Sequence, residues 1–322
     1  MNLPILMYHY VRPNNKRMSE RHHVLDLDLF DRQLDLLAEK YDFVLGNDLL
    51  TLNKDGAALK NKIWLTFDDG YKDCIDYVLP RLLSIDARAT FYLPTEAIFE
   101  RKLLDVNKIH ILLSSTKTPA QIVNISSEVF NELKFSRVVN ESFDDLYRRF
   151  GIANAWNDGE TEFLKKLFQK ILPADLRRQL LAEVFAQVVS RSESSWVDEF
   201  YLSPDDVRHL HECGMELGSH GHSHVWLEDL SADDQRADIE ESFRLLELEL
   251  GTLRNKTMCY PFGSHNEITS EILRDLDIYT AVVNSGNKIA KISDSVERHL
   301  ELDRIDVMFF DQFIRGEFPV AH

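Results

Sequence analysis

The chain has 322 residues, 44% of them hydrophobic and 28% charged, enough for one barrel-sized α/β domain with an insertion or for one and a half ordinary domains. With 37 Lys and Arg against 54 Asp and Glu the net charge is −17, which argues against binding a phosphate backbone or, through a basic patch, an anionic membrane. Cys74, Cys213 and Cys259 are scattered and odd in number, so neither a disulfide framework nor a CxxC metal knuckle can be read, and they fit a reducing compartment.

In chain order, residues 1–7 lack a basic n-region and run into Tyr8-His9, so they read as a strand and not as a signal peptide. No apolar run reaches the roughly 18 residues of a membrane span, and the expected location is the cytoplasm. Strands are predicted at 4–11, 43–45, 62–67, 89–93, 215–219, 256–260, 279–283 and 302–307. Most are near-continuously apolar, the pattern of parallel strands buried on both faces. Helices fall between them. Residues 27–40 place Leu29, Phe30, Leu34, Leu37 and Ala38 on one face. Ser203-Pro204 supplies an N-cap and an N1 proline to a helix that Gly214 ends. Ser231 caps a long helix that stops at Gly251, with Ile239, Phe243, Leu246 and Leu250 as its core stripe. This alternation predicts βαβ units and a closed or nearly closed barrel.

One segment breaks the rhythm. From about 100 to 200 no parallel-strand runs occur, and helices are predicted at 143–150, 160–171 and 173–189, the middle one with a stripe of Leu164, Leu167, Phe168 and Ile171. The expected organisation is a single barrel domain over 1–322 carrying this mostly helical insertion. An insertion of this length reads as a lid or specificity element, with an elaborated connection as the plainer alternative.

Two clusters carry chemistry. Thr66-Phe67-Asp68-Asp69-Gly70 follows the apolar run Ile63-Trp64-Leu65. Two adjacent carboxylates at the end of a buried strand repel, and a cation would resolve the conflict by holding one and leaving the other as a base. Gly70 permits a sharp turn after them; an Asp-Gly turn with a helix cap is the competing reading. The second cluster, Gly218-Ser219-His220-Gly221-His222-Ser223-His224, again follows a strand. His220 and His224 are four apart and on a helical turn would share a face suited to Zn²⁺, while His222 points elsewhere. A solvated His-rich loop is the alternative. Together the clusters offer two histidines, one carboxylate ligand and one spare carboxylate, the layout of a catalytic metal site with open positions.

These motifs, followed by Tyr260-Pro261-Phe262-Gly263, resemble the polysaccharide deacetylase family, the NodB homology domain. The resemblance covers most of the chain outside the helical insertion. It implies a distorted (β/α) barrel of NodB type with about seven strands, acting on N-acylated sugars. It also implies Asp68 as catalytic base and Asp69, His220 and His224 as metal ligands. Two departures stand out. Many members carry an arginine two positions before the proline, where this chain has Cys259, and the late Leu-x-x-His motif is not evident. Both departures resemble the branch that deacetylates poly-N-acetylglucosamine, which has a Met-Tyr-His element and a late Arg-Ile element. Met7-Tyr8-His9 and Arg304-Ile305 match these. The resemblance therefore implies His9 as general acid and Arg304 as the partner of Asp68. A satisfied strand histidine, and an ion pair of Arg304 with Asp303 or Asp306, are the alternatives. His265 and His299 rank behind His9 as acids. Tyr260, Pro261, Phe262, Gly263 and His265 are candidates for the substrate site, and Trp226 and Leu227 for contacts at the mouth, with core packing as the competing role. The backbone N–H near Tyr260, or the one after Asp69, is the candidate oxyanion donor.

The expected function is metal-dependent hydrolysis of an N-acetyl or other N-acyl group on an amino sugar. The expected cofactor is one divalent ion, most readily Zn²⁺, with Co²⁺, Ni²⁺, Mn²⁺ or Fe²⁺ also acceptable to this ligand set. The expected partner is an N-acylated amino sugar or sugar precursor of lipopolysaccharide, O-antigen or capsule synthesis, with no nucleic acid and no membrane span. No oligomeric state is read from the sequence. Deformylation, or hydrolysis of another non-peptide amide on the same fold, is one alternative, and a degenerate carbohydrate-binding module is another.

Overall fold

In the computed structural model, which describes residues 1–13, 24–52, 59–154, 157–253, 255–293 and 298–318, the apolar runs become short strands. In chain order these are β1 (Asn2–Leu3), β2 (Ile5–Tyr8), β3 (Asp42–Val44), β4 (Lys62–Phe67), β5 (Thr90–Leu93), β6 (Glu216–Ser219), β7 (Lys256–Cys259), β8 (Ile278–Val282), β9 (Ala290–Lys291), β10 (His299–Leu302) and β11 (Ile305–Asp306). Their order in the main sheet is β10-β8-β7-β6-β5-β4-β2-β11, with β3 also on β4, and every pairing in it is parallel. Parallel strands need helices on the outer face, which is why most of the predicted strands are apolar on both sides.

The last predicted strand, 302–307, is in fact two. β10 pairs with β8 and β11 pairs with β2, at opposite ends of the sheet order, yet only Asp303 and Arg304 separate them. Three Cα steps span at most about 11 Å, so the sheet must curl until its two edges nearly meet. The fold is a distorted (β/α) barrel whose seam lies at Arg304. A pure apolar reading merges the two halves because both continue in one direction; the break comes from the change of neighbour. Residues 283–287 cover the seam, with the Val283 amide donating to the Leu302 carbonyl and the Asp306 amide to the Gly286 carbonyl. The strands β1 and β9 form a separate antiparallel ribbon; both are too short to register as apolar runs.

Three helices matter for the site. In Leu27–Ala38, Phe30, Leu34 and Leu37 face the core, whereas the predicted Leu29 is 45% exposed and Ala38 is also exposed. The 3.6-residue period explains this, since 30, 34 and 37 share a narrow stripe and position 29 falls off it. Pro204–Glu212 has the Ser203 cap with Pro204 in its first turn, and Ala232–Leu250 has the Ser231 cap and ends at Gly251. Ile239, Phe243 and Leu246 are buried as the stripe predicts.

The described residues fall into two compact units, one made of residues up to 102 and from 197 onward, the other chiefly of 103–196. The second is helical: Asp105–Ser114, Pro119–Glu132, Ser136–Val139, Phe143–Phe150, Gly159–Lys166 and Ala174–Val188, with a π-helical turn at Leu167–Ile171. It has its own core. Phe143 meets Phe130 and Phe163 edge to face at 5.5 and 5.3 Å, and Leu164, Leu167 and Phe168 are buried along with Leu180, Leu181, Val184 and Phe185.

Near the amino ends of the barrel strands, Glu216 accepts the Gly46 and Asn47 amides at 2.9 and 2.8 Å and contacts the Thr90 hydroxyl. Burial pushes its carboxyl up from 4.5 to about 7 against those donors. Between these two values the native state keeps a proton that the unfolded chain has lost, so stability falls as pH rises through that window. Glu216→Gln is expected to flatten this part of the curve. Urea unfolding of both proteins at about pH 5 and about pH 8 checks it, and parallel pH dependence in the two would contradict it.

Candidate active site

Period-two alternation decides which side chains enter the barrel. Ile5, Trp64, Tyr92, Cys259, Val282 and Leu302 belong to one buried cluster, and Leu6, Leu65, Phe91, Met258 and Ile305 to another that packs with the helices. The inward series continues past the strand ends to His9 after Met7, Asp68 after Thr66, and Arg304 after Leu302. The candidate residues thus gather at the carboxyl ends of parallel strands, where α/β barrels place their chemistry.

Asp68 is 1% exposed and Arg304 is 0% exposed. They form a bidentate pair, Nη1 to Oδ1 at 2.8 Å and Nη2 to Oδ2 at 2.7 Å. The guanidinium also donates from Nε to the Val283 carbonyl at 2.9 Å, from Nη1 to Thr66 Oγ1 at 3.0 Å and from Nη2 to Cys259 Sγ at 3.0 Å. These contacts use all five of its N–H donors. Thr66 in turn donates to the Leu6 carbonyl at 2.7 Å. Burial by itself would raise the Asp68 carboxyl, but the Arg304 charge and hydrogen bonds outweigh it and hold the group below its usual range. His9 Nε2 lies 3.7 Å from Asp68 Oδ2, its side chain 33% exposed at the mouth.

Asp69 turns the other way. It adopts φ +70, followed by Gly70 at φ +60, so the chain reverses after the strand and the neighbouring carboxylates diverge. Asp69 Oδ1 lies 3.4 Å from His220 Nε2 and 3.2 Å from His224 Nε2. His220 Nδ1 is 2.9 Å from the Cys259 carbonyl, which can only accept, so Nδ1 carries a proton and Nε2 is the nitrogen that faces Asp69. The imidazoles of His220 and His224 meet edge to face at 4.7 Å. Burial pushes the Asp69 carboxyl up, but His220 and His224 pull it well below its usual range. Two imidazole nitrogens and one carboxylate oxygen, all within 4.8 Å of one another and buried, suit a divalent cation of the zinc class. The residues present fit the metal that the resemblance implies.

The two histidines do not meet on a helical turn. The segment after β6 is a loop in which Gly221 has φ +72 and His224 φ +51, and these two left-handed residues bring His224 back toward His220. Their spacing of four matches a helix by arithmetic alone. His222 does point elsewhere, with Nδ1 3.0 Å from Thr95 Oγ1 and Nε2 3.3 Å from Glu100.

The other candidates separate. Phe262, at φ +58, stacks on Trp226 at 4.6 Å and meets His224 at 4.7 Å, so this half-buried pair stands beside the histidines. Tyr260 is fully buried on the outer side, its hydroxyl donating to the Leu300 carbonyl at 2.7 Å, and its backbone amide is taken by the Val282 carbonyl. His265 stacks on Tyr260 at 4.5 Å, on the same outer side, and bonds the Gly263 carbonyl. Pro261 is buried and Leu227 is a core residue. His299 starts β10, at the opposite end of the strands from Asp68. Two members of the site escape the sequence reading: Thr66, a further acceptor for Arg304, and the Cys259 thiol, which lies against both Arg304 and Asp68. The alternation that places Asp68 inward also places both of them inward, and is the signal that could have found them.

A model of the polysaccharide deacetylase family matches residues 137–281, a span that contains His220, His224 and residues 260–263 and begins after Asp68 and Asp69. No curated protein matches the chain. Among solved structures the chain is similar to the Streptococcus pyogenes deacetylase PplD in complex with acetate, with TM-score 0.59, 20% identity and 99% of both chains covered. It is also similar to IcaB from Ammonifex degensii, with TM-score 0.56, 15% identity, and 98% of this chain and 96% of that one covered. A de-N-acetylase from Aggregatibacter actinomycetemcomitans gives TM-score 0.53 at 13% identity, with 95% and 94% covered. At these identities the structural likeness is one of fold. Taken with the family match, which spans a little under half of the chain, the motifs and the barrel make the chain similar to the polysaccharide deacetylase family.

Proposed function

We propose that the barrel mouth is the active site of a metal-dependent N-deacetylase acting on an N-acetylated amino sugar. The observation that carries this reading is the division of labour between two consecutive carboxylates. Asp69 is turned to His220 and His224, and Asp68 to Arg304 and His9. Asp69, His220 and His224 would hold a divalent ion, most readily Zn²⁺. Bound there, the ion supplies an acidified water and a polarised amide carbonyl.

This chain's own residues do the rest. Asp68, kept ionised by Arg304, accepts the proton of the attacking water. His9 at the mouth gives a proton to the departing nitrogen, so that one amide and one water become acetate and a free amine. Trp226 and Phe262 offer an apolar face for the sugar ring beside His224. The Arg304 guanidinium holds Asp68 and contacts Sγ of Cys259, the sequence position at which the resemblance implies an arginine in many family members. Its presence speaks against a degenerate binding module.

The test is acetate release from a panel of N-acetylglucosamine oligomers, nucleotide-linked N-acetylhexosamines and lipid-linked ones, with and without a chelator. Chelator-sensitive acetate from at least one class is expected; none from any class, with metal supplied, would overturn the reading. His9→Ala is expected to cost about 10²–10⁴-fold on a sugar. The loss should be much smaller on an N-acetyl anilide carrying electron-withdrawing groups, whose amine departs without a proton. Equal losses on both would remove His9 from the acid role.

A further inference from the structure

His224 must fold back onto the same centre as His220 with only three residues between them, and the fold achieves this with the left-handed residues Gly221 and His224. A left-handed histidine costs roughly 1–2 kcal/mol and persists only where its surroundings enforce it. The loop's backbone groups therefore identify what enforces it.

We propose that Asp238, on the helix Ala232–Leu250, is the positioning residue that fixes this loop and with it the two histidines. Its carboxylate, nearly buried, accepts two consecutive amides, His222 N at 2.8 Å through Oδ2 and Ser223 N at 2.9 Å through Oδ1. Among the described residues it makes no ion pair, so its charge is answered by the loop backbone. The preceding amide, Gly221 N, donates to Ser219 Oγ at 3.0 Å, and Ser219 bonds Ser242 of the same helix at 2.6 Å. On the other face the Gly221 and His222 carbonyls accept the Thr95 and Glu96 amides at 3.2 and 3.0 Å. A Cβ at position 221 would stand 2.9 Å from Asp238 Oδ2, so the glycine both allows the turn and leaves the room that the carboxylate fills. Among the described residues Asp238 makes no hydrogen bond or ion pair with either imidazole; it acts through the backbone that carries them.

The inference rests on the reading of Asp69, His220 and His224 as metal ligands. Asn at 238 keeps the size but turns an NH₂ donor toward one of the two amides, so the bidentate clamp is lost without a cavity. Co²⁺ binding to the metal-free proteins, followed by visible absorption, is the readout. Asp238→Asn is expected to weaken binding about 10–100-fold and to alter the cobalt spectrum, with kcat falling more than KM and the far-UV spectrum retained. Affinity within about threefold of wild type, with an unchanged spectrum, overturns the proposal. Should the variant not fold, hydrogen exchange on metal-free wild type decides: slow exchange at the His222 and Ser223 amides is expected, and open-chain rates overturn it. Absence of cobalt binding by wild type would instead sink the metal reading itself, while the exchange arm would still report on the clamp.

Discussion

Asp68→Asn is expected to lower kcat on an N-acetyl sugar by about 10²–10⁴-fold while leaving bound metal in place. The side chain keeps its volume and one acceptor oxygen but can no longer take a proton. Its neighbour Asp69 and both histidines are untouched, because the two carboxylates serve different partners. Pre-steady-state acetate release together with metal analysis of the same sample separates the two effects. Loss of metal along with activity would mean that Asp68 is itself a ligand, and retention of activity would mean that another group is the base.

The second large effect is on stability. Arg304→Met leaves a buried carboxylate without its guanidinium and is expected to cost about 3–5 kcal/mol near neutral pH. The sign of the pH dependence follows from the pair. In the wild type the Asp68 carboxyl is held below its ordinary value of 3.8, so its stabilisation is full above that value and is lost as pH falls through the lower native one. In the variant, burial is no longer offset by the guanidinium, and the carboxyl moves up. The penalty should therefore shrink as pH falls and Asp68 becomes neutral, and the acid limb of the rate profile should move to higher pH. The double variant Asp68→Asn with Arg304→Met removes both charges and should recover most of the stability without recovering activity. Denaturant unfolding of the four proteins completes the cycle. Additive losses in the double variant would show that the pair contributes little. Arg304→Lys should not rescue, since one ammonium cannot replace a planar fork that meets Asp68, Thr66, Cys259 and the Val283 carbonyl at once.

Much of this arrangement is legible in the amino-acid sequence. The apolar runs mark the strands to within a few residues, because parallel strands under helices are buried on both faces and leave a dense apolar trace. The motif 66–70 marks the end of β4, and three histidines in five residues mark the end of β6. What escapes is whatever depends on three-dimensional closure. Arg304 and Asp68 lie 236 residues apart, and only the family resemblance pairs them in the sequence; in the fold their meeting follows from the split of the last strand across the seam. No local pattern records that a run of residues changes neighbour halfway along. Tyr260 is different. Once Cys259 is taken as an inward position, alternation sends Tyr260 outward into the helix layer, so the period-two rule applied to β7 removes it from the substrate wall. A spacing of four suggests a helical turn for the histidine pair; two left-handed residues accomplish the same convergence, and only Gly221 hints at them.

Metal content of the purified protein, measured by elemental analysis beside the Asp69→Ala, His220→Ala double variant, tests the central claim most directly. Close to one equivalent of a divalent ion per chain, absent from the variant, is the predicted result. Protein that holds no metal even after reloading with Zn²⁺ or Co²⁺, or that holds it equally in the variant, would contradict it.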